Sequence, residues 1–437
     1  MARQPTSLSG HFRTDLSGRF NELDVLRRQW ALFAANTEGQ VLPPYEVLIH
    51  PSSGCNLRCQ WCIGDHVPVE VWDDDHERLV MLDASKEAPD RLPDVLAEPK
   101  AMMKLAEDLV GYRKTAAYQS GGTRHTAEFG VCNVSFSGLI GEPLVARAAL
   151  IPAIRYLTAH GMRVGMFTNG VLMDDRAIDV LVHTAYLHLS LDAGKAETYG
   201  ALKFKGHRSG AVKFERAVEN LRKLVTRRDE LDTELEISVS FILYPENYHE
   251  VREAAELVRE IGADRLRLKR DISGDRLLDG AQREHANRLI ASIRDDLVDD
   301  AFQLVEVHRL DELGESARRF SHCSITDMMA AIGSDGHLYP CNYHPRPNGA
   351  SYGSAIDTSF REVWEGEQRM ALRAQLPSIC PKVCDPFKNR ANAMLQVAHG
   401  IAREHGLDHL ERDVTDLVVS GAYDPHHGHR AGGRGGR

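Results

Sequence analysis

The sequence lacks any hydrophobic run that could cross a membrane. No stretch approaches the about 18 consecutive apolar residues that a membrane span requires, and the first residues, Met1–Gly18, lack the apolar core of a secretory signal. We therefore expect a cytoplasmic protein with no membrane partner. Cysteine is also scarce, with eight in 437 residues. In a reducing compartment, clustered cysteines bind metals or carry out redox chemistry more often than they form disulfides.

Positive charge is in deficit as well. The chain has 53 Lys and Arg against 63 Asp and Glu, a formal net charge of −10. A nucleic-acid partner requires a basic surface, so this balance argues against one. It is compatible with a neutral or cationic small substrate. The length and the 43% hydrophobic content allow two or three domains with a large core.

Three of the cysteines form one short loop. Cys55, Cys59 and Cys62 have the spacing C-x3-C-x2-C and directly follow the apolar run Tyr45–Ile49. Cysteine thiolates hold iron–sulfur clusters. Three of them on one loop leave one iron of a four-iron cluster open to an external ligand, which favours a catalytic cluster over an electron relay. Zinc is the alternative, but it usually takes two C-x2-C pairs and this loop offers three ligands.

This loop resembles the defining motif of the radical S-adenosylmethionine (SAM) superfamily, C-x3-C-x-aromatic-C, with Trp61 at the aromatic position. The resemblance implies that SAM chelates the open iron through its amino and carboxylate groups. It also implies reductive cleavage of SAM to methionine and a 5′-deoxyadenosyl radical, which abstracts hydrogen from a substrate C–H bond. Trp61 is then expected beside the adenine.

Strands and helices alternate along much of the chain. Strands are predicted at 45–50, 131–137, 163–168, 186–191, 235–243 and 265–269, and helices at 145–160, 174–184, 213–228 and 248–261. Alternation of this kind predicts a parallel α/β sheet. The resemblance implies an α/β fold with a partial (β/α)6 TIM-like barrel, followed by a small α+β iron–sulfur domain. In such barrels the chemistry lies at the C-terminal ends of the strands.

Further motifs follow these strands. Ser137–Pro143 resembles the family's G-G-E-P turn, where a glycine lets backbone carbonyls approach the SAM amino group and Glu142 adds charge. Thr168-Asn169-Gly170 resembles T-N-G, and Ser190-Leu191-Asp192 resembles S-x-D. The cofactor-binding residues that the resemblance implies are Trp61, Gly141, Glu142, Pro143, Thr168, Asn169, Ser190, Asp192 and Asn247, the last of these beside the adenosine.

The last predicted barrel strand is rich in cations. Alternation places Arg265, Arg267 and Lys269 on one face and Leu266, Leu268 and Arg270 on the other. Only one of Lys269 and Arg270 can face the barrel mouth, where it could hold the SAM carboxylate or a substrate anion; a solvated side chain is the alternative. No catalytic residue is assigned, and Lys269, Arg270 and Tyr244 are the candidates. Asp65, His66, His188 and Asp271 are further candidate acid–base groups, on the basis of their location in the sequence alone.

A second cysteine set lies near the C-terminus. Cys323-x12-Gly336-x4-Cys341 resembles the opening of the SPASM and twitch auxiliary-cluster domains, with a hairpin predicted at Asp335-Gly336. A full SPASM domain binds two clusters and needs more cysteines than this chain retains. Cys132 is predicted to be a buried strand residue. The remaining set, Cys323, Cys341, Cys380 and Cys384, predicts a twitch-like domain with one [4Fe–4S] cluster, and zinc is the alternative.

The predicted organisation follows from these motifs. Residues 1–40 form an N-terminal helical extension, 41–300 the barrel, 301–387 the auxiliary domain, and 388–437 C-terminal helices with a disordered His/Gly/Arg tail. Residues 63–97, which include the acidic run Trp72–His76, are predicted to be an irregular inserted loop. Because this loop leaves directly from the cysteine loop, we expect a lid or a solvated loop.

The expected function is radical chemistry on a small polyhydroxylated, amino-sugar or aminocyclitol metabolite, as an oxidoreductase or lyase in antibiotic biosynthesis. Oxidation, dehydration and epimerisation stay open, and flavodoxin or ferredoxin is the expected electron donor. The family's peptide-modifying branch often carries a larger leader-binding domain, and the forty-odd residues before the first strand are too few for one. Maturation of a ribosomal peptide is the alternative, followed by a non-catalytic iron–sulfur or zinc protein.

Overall fold

The computed structural model describes Leu8 and residues 23–62, 67–68, 70–73, 78–81, 92–139, 141–204, 209–307, 318–346, 349–381 and 384–419. Two of the predicted acid–base groups, Asp65 and His66, lie outside these residues. So do the predicted C-terminal tail and much of the predicted inserted loop.

Sixteen strands and thirteen α-helices are present in the described residues. The strands are β1 (Glu46–Ile49), β2 (Gly54–Cys55), β3 (Val67–Pro68), β4 (Glu70–Asp73), β5 (Arg78–Met81), β6 (Arg113–Ser120), β7 (Thr123–Gly130), β8 (Asn133–Phe136), β9 (Arg163–Thr168), β10 (Tyr186–Ser190), β11 (Glu236–Leu243), β12 (Arg265–Arg270), β13 (Gln303–Glu306), β14 (Met329–Ile332), β15 (His337–Tyr339) and β16 (Gly353–Ser354). The helices are α1 (Leu23–Arg28), α2 (Trp30–Thr37), α3 (Pro99–Gly111), α4 (Arg147–Ala159), α5 (Asp175–Leu181), α6 (Ala196–Lys203), α7 (Ser209–Leu231), α8 (Val251–Ile261), α9 (Gly280–Asp296), α10 (Phe360–Glu365), α11 (Glu367–Ala374), α12 (Pro386–His405) and α13 (Leu407–Val419).

One ten-stranded sheet organises the fold, in the order β13-β12-β11-β10-β9-β8-β1-β14-β15-β16. The eight strands from β13 to β14 in this order run parallel to one another. Strand β15 pairs antiparallel with β14, and β16 pairs antiparallel with β15. The predicted α/β fold with a partial barrel is confirmed. All six predicted barrel strands are present, and β13 and β14 flank them on the two sides.

The two faces of the barrel strands differ in chemistry. The face covered by helices carries apolar side chains that are fully buried, such as Val134, Leu187, Val239 and Leu268. The opposite, concave face carries polar side chains and forms the barrel lumen. This alternation follows from the two-residue period of a strand. It places hydrogen-bonding and charged groups inside the barrel, where a ligand can reach them.

A second core lies outside the barrel. Phe33 of α2 packs there with Met394 and Leu395 of α12, and Met328 joins them from the segment before β14. The N-terminal and C-terminal helices therefore stabilise one another, together with Ala116 of the β6–β7 hairpin. None of the helices in the described ranges is long and apolar enough to span a membrane.

Four features differ from the predictions. The segment 63–97 contains β3, the β4–β5 hairpin and a 3-10 helix at Val95–Ala97, so it is not wholly irregular. Helix α6 and the β6–β7 hairpin were not predicted. Cys132, predicted to be a buried strand residue, is exposed and lies one residue before β8. The predicted domain limits stay predictions, although the sheet itself continues past residue 300 through β13.

Candidate active site

The cysteine loop begins just beyond the C-terminal end of β1 and is held from two sides. On one side Asp94 accepts hydrogen bonds from the Ser52 hydroxyl and the Ser53 amide, both at 2.8 Å. On the other side the last turn of α6 accepts backbone bonds from Arg58 and Gln60, at 2.9 and 3.0 Å. These contacts fix the loop before any ligand binds. Asp94 lies in the predicted lid segment, and at this end the segment supports the loop.

The thiols of this loop suit a cationic metal cluster. Burial raises the pKa of Cys55 well above its ordinary value, and the neighbouring Cys59 raises it further. Burial also raises the pKa of Cys59 to about 12, against the opposing effect of Lys203. Sulfur binds metal as thiolate. Because ionised thiols at this spacing repel one another, iron that compensates their charge fits this donor set, and its binding releases protons.

The turn after β8 packs directly onto the cysteine loop. The Glu142 amide donates to the Gly54 carbonyl at 2.8 Å. A Cβ atom at Gly141 would lie 2.2 Å from the Ser52 carbonyl oxygen, so only glycine allows this approach. The predicted residues Gly141, Glu142 and Pro143 are thus brought against Cys55. Their predicted contact with the SAM amino group stays a prediction.

We expect Gly141→Ala to destabilise the protein, because the added methyl group would displace the cysteine loop. Overpacking of a tight contact costs about 1–3 kcal/mol, measurable as a lower midpoint of thermal unfolding. Gly111→Ala is the matched control, since nothing lies within 4 Å of its added Cβ. An exposed substitution of this kind changes stability by about 0.5 kcal/mol or less. Equal midpoints for the two variants would contradict the proposed close packing.

Glu142 also joins the turn to the end of β9. Its carboxylate accepts from the Thr168 hydroxyl at 2.6 Å and from the Asn169 amide at 2.9 Å. Burial raises the pKa of Glu142, although these hydrogen bonds oppose the rise. The Asn169 side chain donates to the Asn56 carboxamide oxygen at 2.8 Å. The T-N-G motif therefore connects the Glu142 turn with the cysteine loop.

Two of the other predicted cofactor residues are occupied by contacts within the protein. Asp192 is buried, pairs with Lys203 at 2.8 Å and accepts from the Ile242 amide at 2.8 Å. Lys203 also donates to the Ser190 carbonyl at 2.6 Å. Asn247 is fully buried and donates to the Asp192 carbonyl at 2.8 Å. Removing one partner of a buried ion pair leaves the other charge uncompensated, which costs about 3–5 kcal/mol, so we expect the loss of either Asp192 or Lys203 to destabilise the mouth.

Aromatic rings line one side of the mouth. Trp61 and Tyr244 lie with ring centroids 4.6 Å apart, and the Arg276 guanidinium lies 5.4 Å from the Tyr244 ring. Burial raises the pKa of Tyr244 well above its ordinary value, so this phenol stays protonated. Asp271 accepts from the Ser273 amide and hydroxyl, at 3.1 and 2.6 Å. The predicted acid–base roles of Tyr244 and Asp271 stay predictions.

The lumen contains a hydrogen-bonded group that spans three strands. Gly165 of β9 has no side chain, so the Tyr186 ring lies across it, 2.0 Å from the position of an added Cβ. The Tyr186 hydroxyl thereby reaches Ser135 at 2.5 Å and Asn133 at 3.2 Å. Ser135 also donates to Glu46 at 2.6 Å.

A second lumen group includes the predicted candidate His188. Its ring packs against Phe167 with centroids 4.6 Å apart and contacts an Arg267 nitrogen at 2.9 Å. Lys269 lies on the same face of β12 as Arg265 and Arg267, while Leu266 and Leu268 are buried on the other. Half-buried Arg270 follows Lys269 at the end of the strand.

Sequence reasoning missed His50, the residue after β1. This histidine is fully buried, and its Nδ1 contacts the Ser137 carbonyl at 3.1 Å. Burial lowers the pKa of His50 to about 4, so the ring is neutral and Nδ1 donates. Its Nε2 has no hydrogen-bond partner among the described residues. Continuing the alternation of β1 from Glu46 would have placed His50 in the lumen.

The four cysteines of the second set lie together. The charge of Cys341 raises the pKa of Cys323, Cys380 and Cys384, in each case after burial as the main cause. Burial raises the pKa of Cys341 itself, and the cation Lys388 lowers it. Four neighbouring thiols with a nearby cation fit a fully cysteine-bound iron–sulfur cluster. Within the described ranges, no three Cys, His, Asp or Glu side chains are arranged closely enough to hold a single metal ion.

The two cysteine sets lie at opposite ends of the lumen. Strand β14 runs parallel to β1 with Met329 opposite Glu46, and antiparallel β15 places Tyr339 opposite Ala331. Cys341 is two residues beyond Tyr339 and so lies near the N-terminal end of β1. The first cysteine loop follows the C-terminal end of β1. The length of β1 therefore separates the first cysteine loop from the level of Cys341 by about 10 Å along the strand.

Comparisons with known proteins agree with this geometry. Residues 49–258 match the model of the radical SAM superfamily, and residues 323–385 match the SPASM model, described as an iron–sulfur cluster-binding domain. The chain is 29% identical over 142 residues to a PqqA peptide cyclase of Gluconobacter oxydans, covering 32% of this chain and 36% of the relative. The match therefore spans about a third of that relative's length.

Two further relatives extend the comparison. A tungsten-containing aldehyde ferredoxin oxidoreductase cofactor-modifying protein of Pyrococcus furiosus is 23% identical over 218 residues, 49% of this chain and 48% of the relative. Streptococcus suis SuiB, solved with its precursor peptide SuiA, superposes with a TM-score of 0.52 at 15% identity, covering 89% of this chain and 80% of SuiB. At that identity the likeness concerns the fold.

The domain matches confirm the family resemblance. They imply a SAM-binding [4Fe–4S] cluster and auxiliary iron–sulfur binding in the C-terminal region. The thiols that face one another at each end of the lumen fit these groups. The chain belongs to the radical SAM superfamily and carries a SPASM-type iron–sulfur domain after its barrel.

Proposed function

We propose that this protein is a radical SAM maturase that modifies a ribosomally made peptide. The observation that carries the radical chemistry is the placement of two thiol sets at opposite ends of one polar lumen. The peptide substrate is supported by the relatives, because PqqA peptide cyclase acts on a peptide by its name and SuiB was solved with a precursor peptide. This proposal replaces the small metabolite that we expected from the sequence.

The residues of the chain have distinct roles in this proposal. Cys55, Cys59 and Cys62 hold the SAM cluster, and Cys323, Cys341, Cys380 and Cys384 hold one auxiliary cluster. When bound, the first cluster and SAM would supply a 5′-deoxyadenosyl radical that removes a hydrogen atom, and the auxiliary cluster would supply a site for an electron. The Gly141–Pro143 turn, Thr168 and Asn169 shape the SAM pocket, while Trp61 and Tyr244 shield its mouth. The lumen side chains orient the substrate.

A small polyhydroxylated or amino-sugar substrate is the second candidate. The observation that favours it is the density of polar groups in the lumen, such as the Ser135, Tyr186 and Glu46 group. Hydroxyl-rich ligands bind through groups of this kind. In either case the reductant is a low-potential donor, for which we propose flavodoxin or ferredoxin.

The test is turnover by the anaerobically reconstituted holoenzyme with SAM and dithionite. Short peptides encoded beside the gene are supplied in one series, and amino sugars and aminocyclitols in another. We expect mass spectrometry to show that one peptide loses hydrogen, and we expect 5′-deoxyadenosine to accumulate in proportion to the modified peptide. Coupled turnover of a sugar or cyclitol, with every encoded peptide unchanged, would overturn the peptide proposal and support the second candidate.

A further inference from the structure

The lumen face of β12 carries three cations, and two of them have partners within the barrel. Arg265 pairs with Glu236 of β11 at 2.5 Å. Arg267 contacts the His188 ring of β10 at 2.9 Å. Both contacts lie deeper in the barrel than Lys269, which is the last residue of this face and the nearest to the mouth.

Lys269 has no hydrogen-bond or ion-pair partner in the part of the chain that the structure describes. The nearby carboxylates have other partners, and Asp385 accepts from the Lys388 amide at 3.1 Å. Asp192 pairs with Lys203 and accepts from the Ile242 amide. Glu46 accepts from Ser135, and Glu236 pairs with Arg265. A half-buried ammonium without an anion is costly, and a bound anion removes that cost.

The electrostatic environment of Lys269 agrees with a cation that lacks a neutralising anion. Burial lowers the pKa of Lys269 to about 8, and Arg267 lowers it further, against the opposing charges of Asp192 and Asp385. Burial likewise lowers the pKa of Arg267 to about 10. Arg267 lowers the pKa of Lys269, and Arg265 lowers the pKa of Arg267, so the cations on this face of β12 are close enough to repel one another. Carboxylates form strong charge-assisted hydrogen bonds with lysine and arginine.

Other lumen groups indicate what accompanies the carboxylate. Three buried polar atoms lack hydrogen-bond partners among the described residues: His50 Nε2, Asn133 Oδ1 and Ser238 Oγ. Neutral His50 and Asn133 offer acceptors, which suit the N–H groups of a peptide.

We propose that Lys269, with Arg267 beside it, forms a carboxylate-binding subsite in the lumen that holds an acidic side chain of the substrate. This subsite rests on the proposed peptide function and names the substrate class as a peptide with Glu or Asp near the reacting residue. Lys269 is then a specificity-determining residue. The carboxylates of SAM and of a peptide C-terminus are other sources of the same chemistry, which the test separates.

The test measures binding to the oxidised holoenzyme with SAM, by ligand-observed NMR titration. The probes are N-acetyl-L-glutamate N-methylamide, its neutral glutamine counterpart, and N-acetyl-L-glutamine with a free C-terminal carboxylate. We expect Lys269→Gln to weaken binding of the glutamate probe about tenfold, because the variant loses the charge-assisted hydrogen bond to the carboxylate. Lys269→Arg is the charge-preserving control and should stay within about threefold of the parent protein. Iron content and circular dichroism establish that each variant is folded.

Three outcomes would overturn the subsite. These are equal affinity for the glutamate and glutamine probes, a larger effect of Lys269→Gln on the C-terminal carboxylate probe, and a larger effect on the Kd for SAM. Failure of the proposed function gives a different result. In that case Lys269-dependent binding of the glutamate probe persists while no encoded peptide is modified.

We also expect the affinity for the glutamate probe to fall as the pH rises through about 8, where free Lys269 loses its proton. The cation is present below this pH and absent above it, so binding is strong on the acidic side. The charged groups that act on Lys269 are Arg267, Asp192, Asp385 and Lys203. In Lys269→Arg the fall should disappear, because guanidinium stays charged over this range. The same pH dependence in both variants would contradict the assignment.

Discussion

Cys55→Ala should abolish reductive cleavage of SAM. The structure places Cys55 against the Gly141–Pro143 turn, and the proposed SAM cluster has only three protein ligands to lose. We expect the iron content of the reconstituted protein to fall from about eight to about four per chain, because one four-iron cluster is lost. Formation of 5′-deoxyadenosine with dithionite should drop to background. Iron analysis and chromatography of the products measure both effects.

Cys132→Ala is the matched control for this experiment. Cys132 is exposed and precedes β8 at the opposite end of the barrel from the first cysteine loop. The Cys132→Ala variant should keep about eight irons per chain and should cleave SAM as fully as the parent protein. If Cys55→Ala retained SAM cleavage, or if Cys132→Ala lost it, the assignment of the three-cysteine loop would be wrong.

Cys341→Ala should separate the two cluster sites. Cys341 is the thiol whose charge acts on its three partners, so its loss should remove the auxiliary cluster and again leave about four irons per chain. The first cysteine loop makes its contacts with Asp94 and α6, and none of these involves Cys341. Cleavage of SAM without substrate should therefore continue, while formation of modified product stops.

Electron paramagnetic resonance of the reduced protein provides the readout for this variant. The parent protein should show two overlapping cluster signals, and Cys341→Ala should retain the one that changes when SAM is added. An unchanged iron content in Cys341→Ala would contradict the four-cysteine site. Restoration of the metal content by zinc alone, with no second iron signal in the parent protein, would support the zinc alternative.

The sequence predicted the site where its ligands are local in the chain. Cys55, Cys59 and Cys62 are separated by fixed short spacings, and the turn at Gly141–Pro143 follows directly after a strand, so both could be located without a structure. The barrel strands were predicted for the same reason, because the alternation of strand and helix repeats along the chain. Chemistry and fold class therefore followed from residue types and spacing.

The supports of the site could not be predicted in this way. Asp94 reaches Ser52 across about forty residues, and Lys203 meets Asp192 from an unpredicted helix. Such pairs are recognisable only when the chain has folded, because one partner of each, Asp94 or Lys203, lies outside every motif. His50 was missed although β1 was predicted, since its role depends on the lumen that the other strands enclose. Substrate class likewise depends on that lumen and on no local motif.

The pairing of β14 with β1 has a consequence for how the protein can be divided. Without β14, the backbone of β1 would end the sheet with unpaired N–H and C=O groups from Glu46 to Ile49. Exposed edges of this kind recruit strands from other molecules. A truncated chain that stops before Cys323 would therefore tend to self-associate, and the C-terminal region serves as a lateral cap on the barrel as well as a carrier of metal.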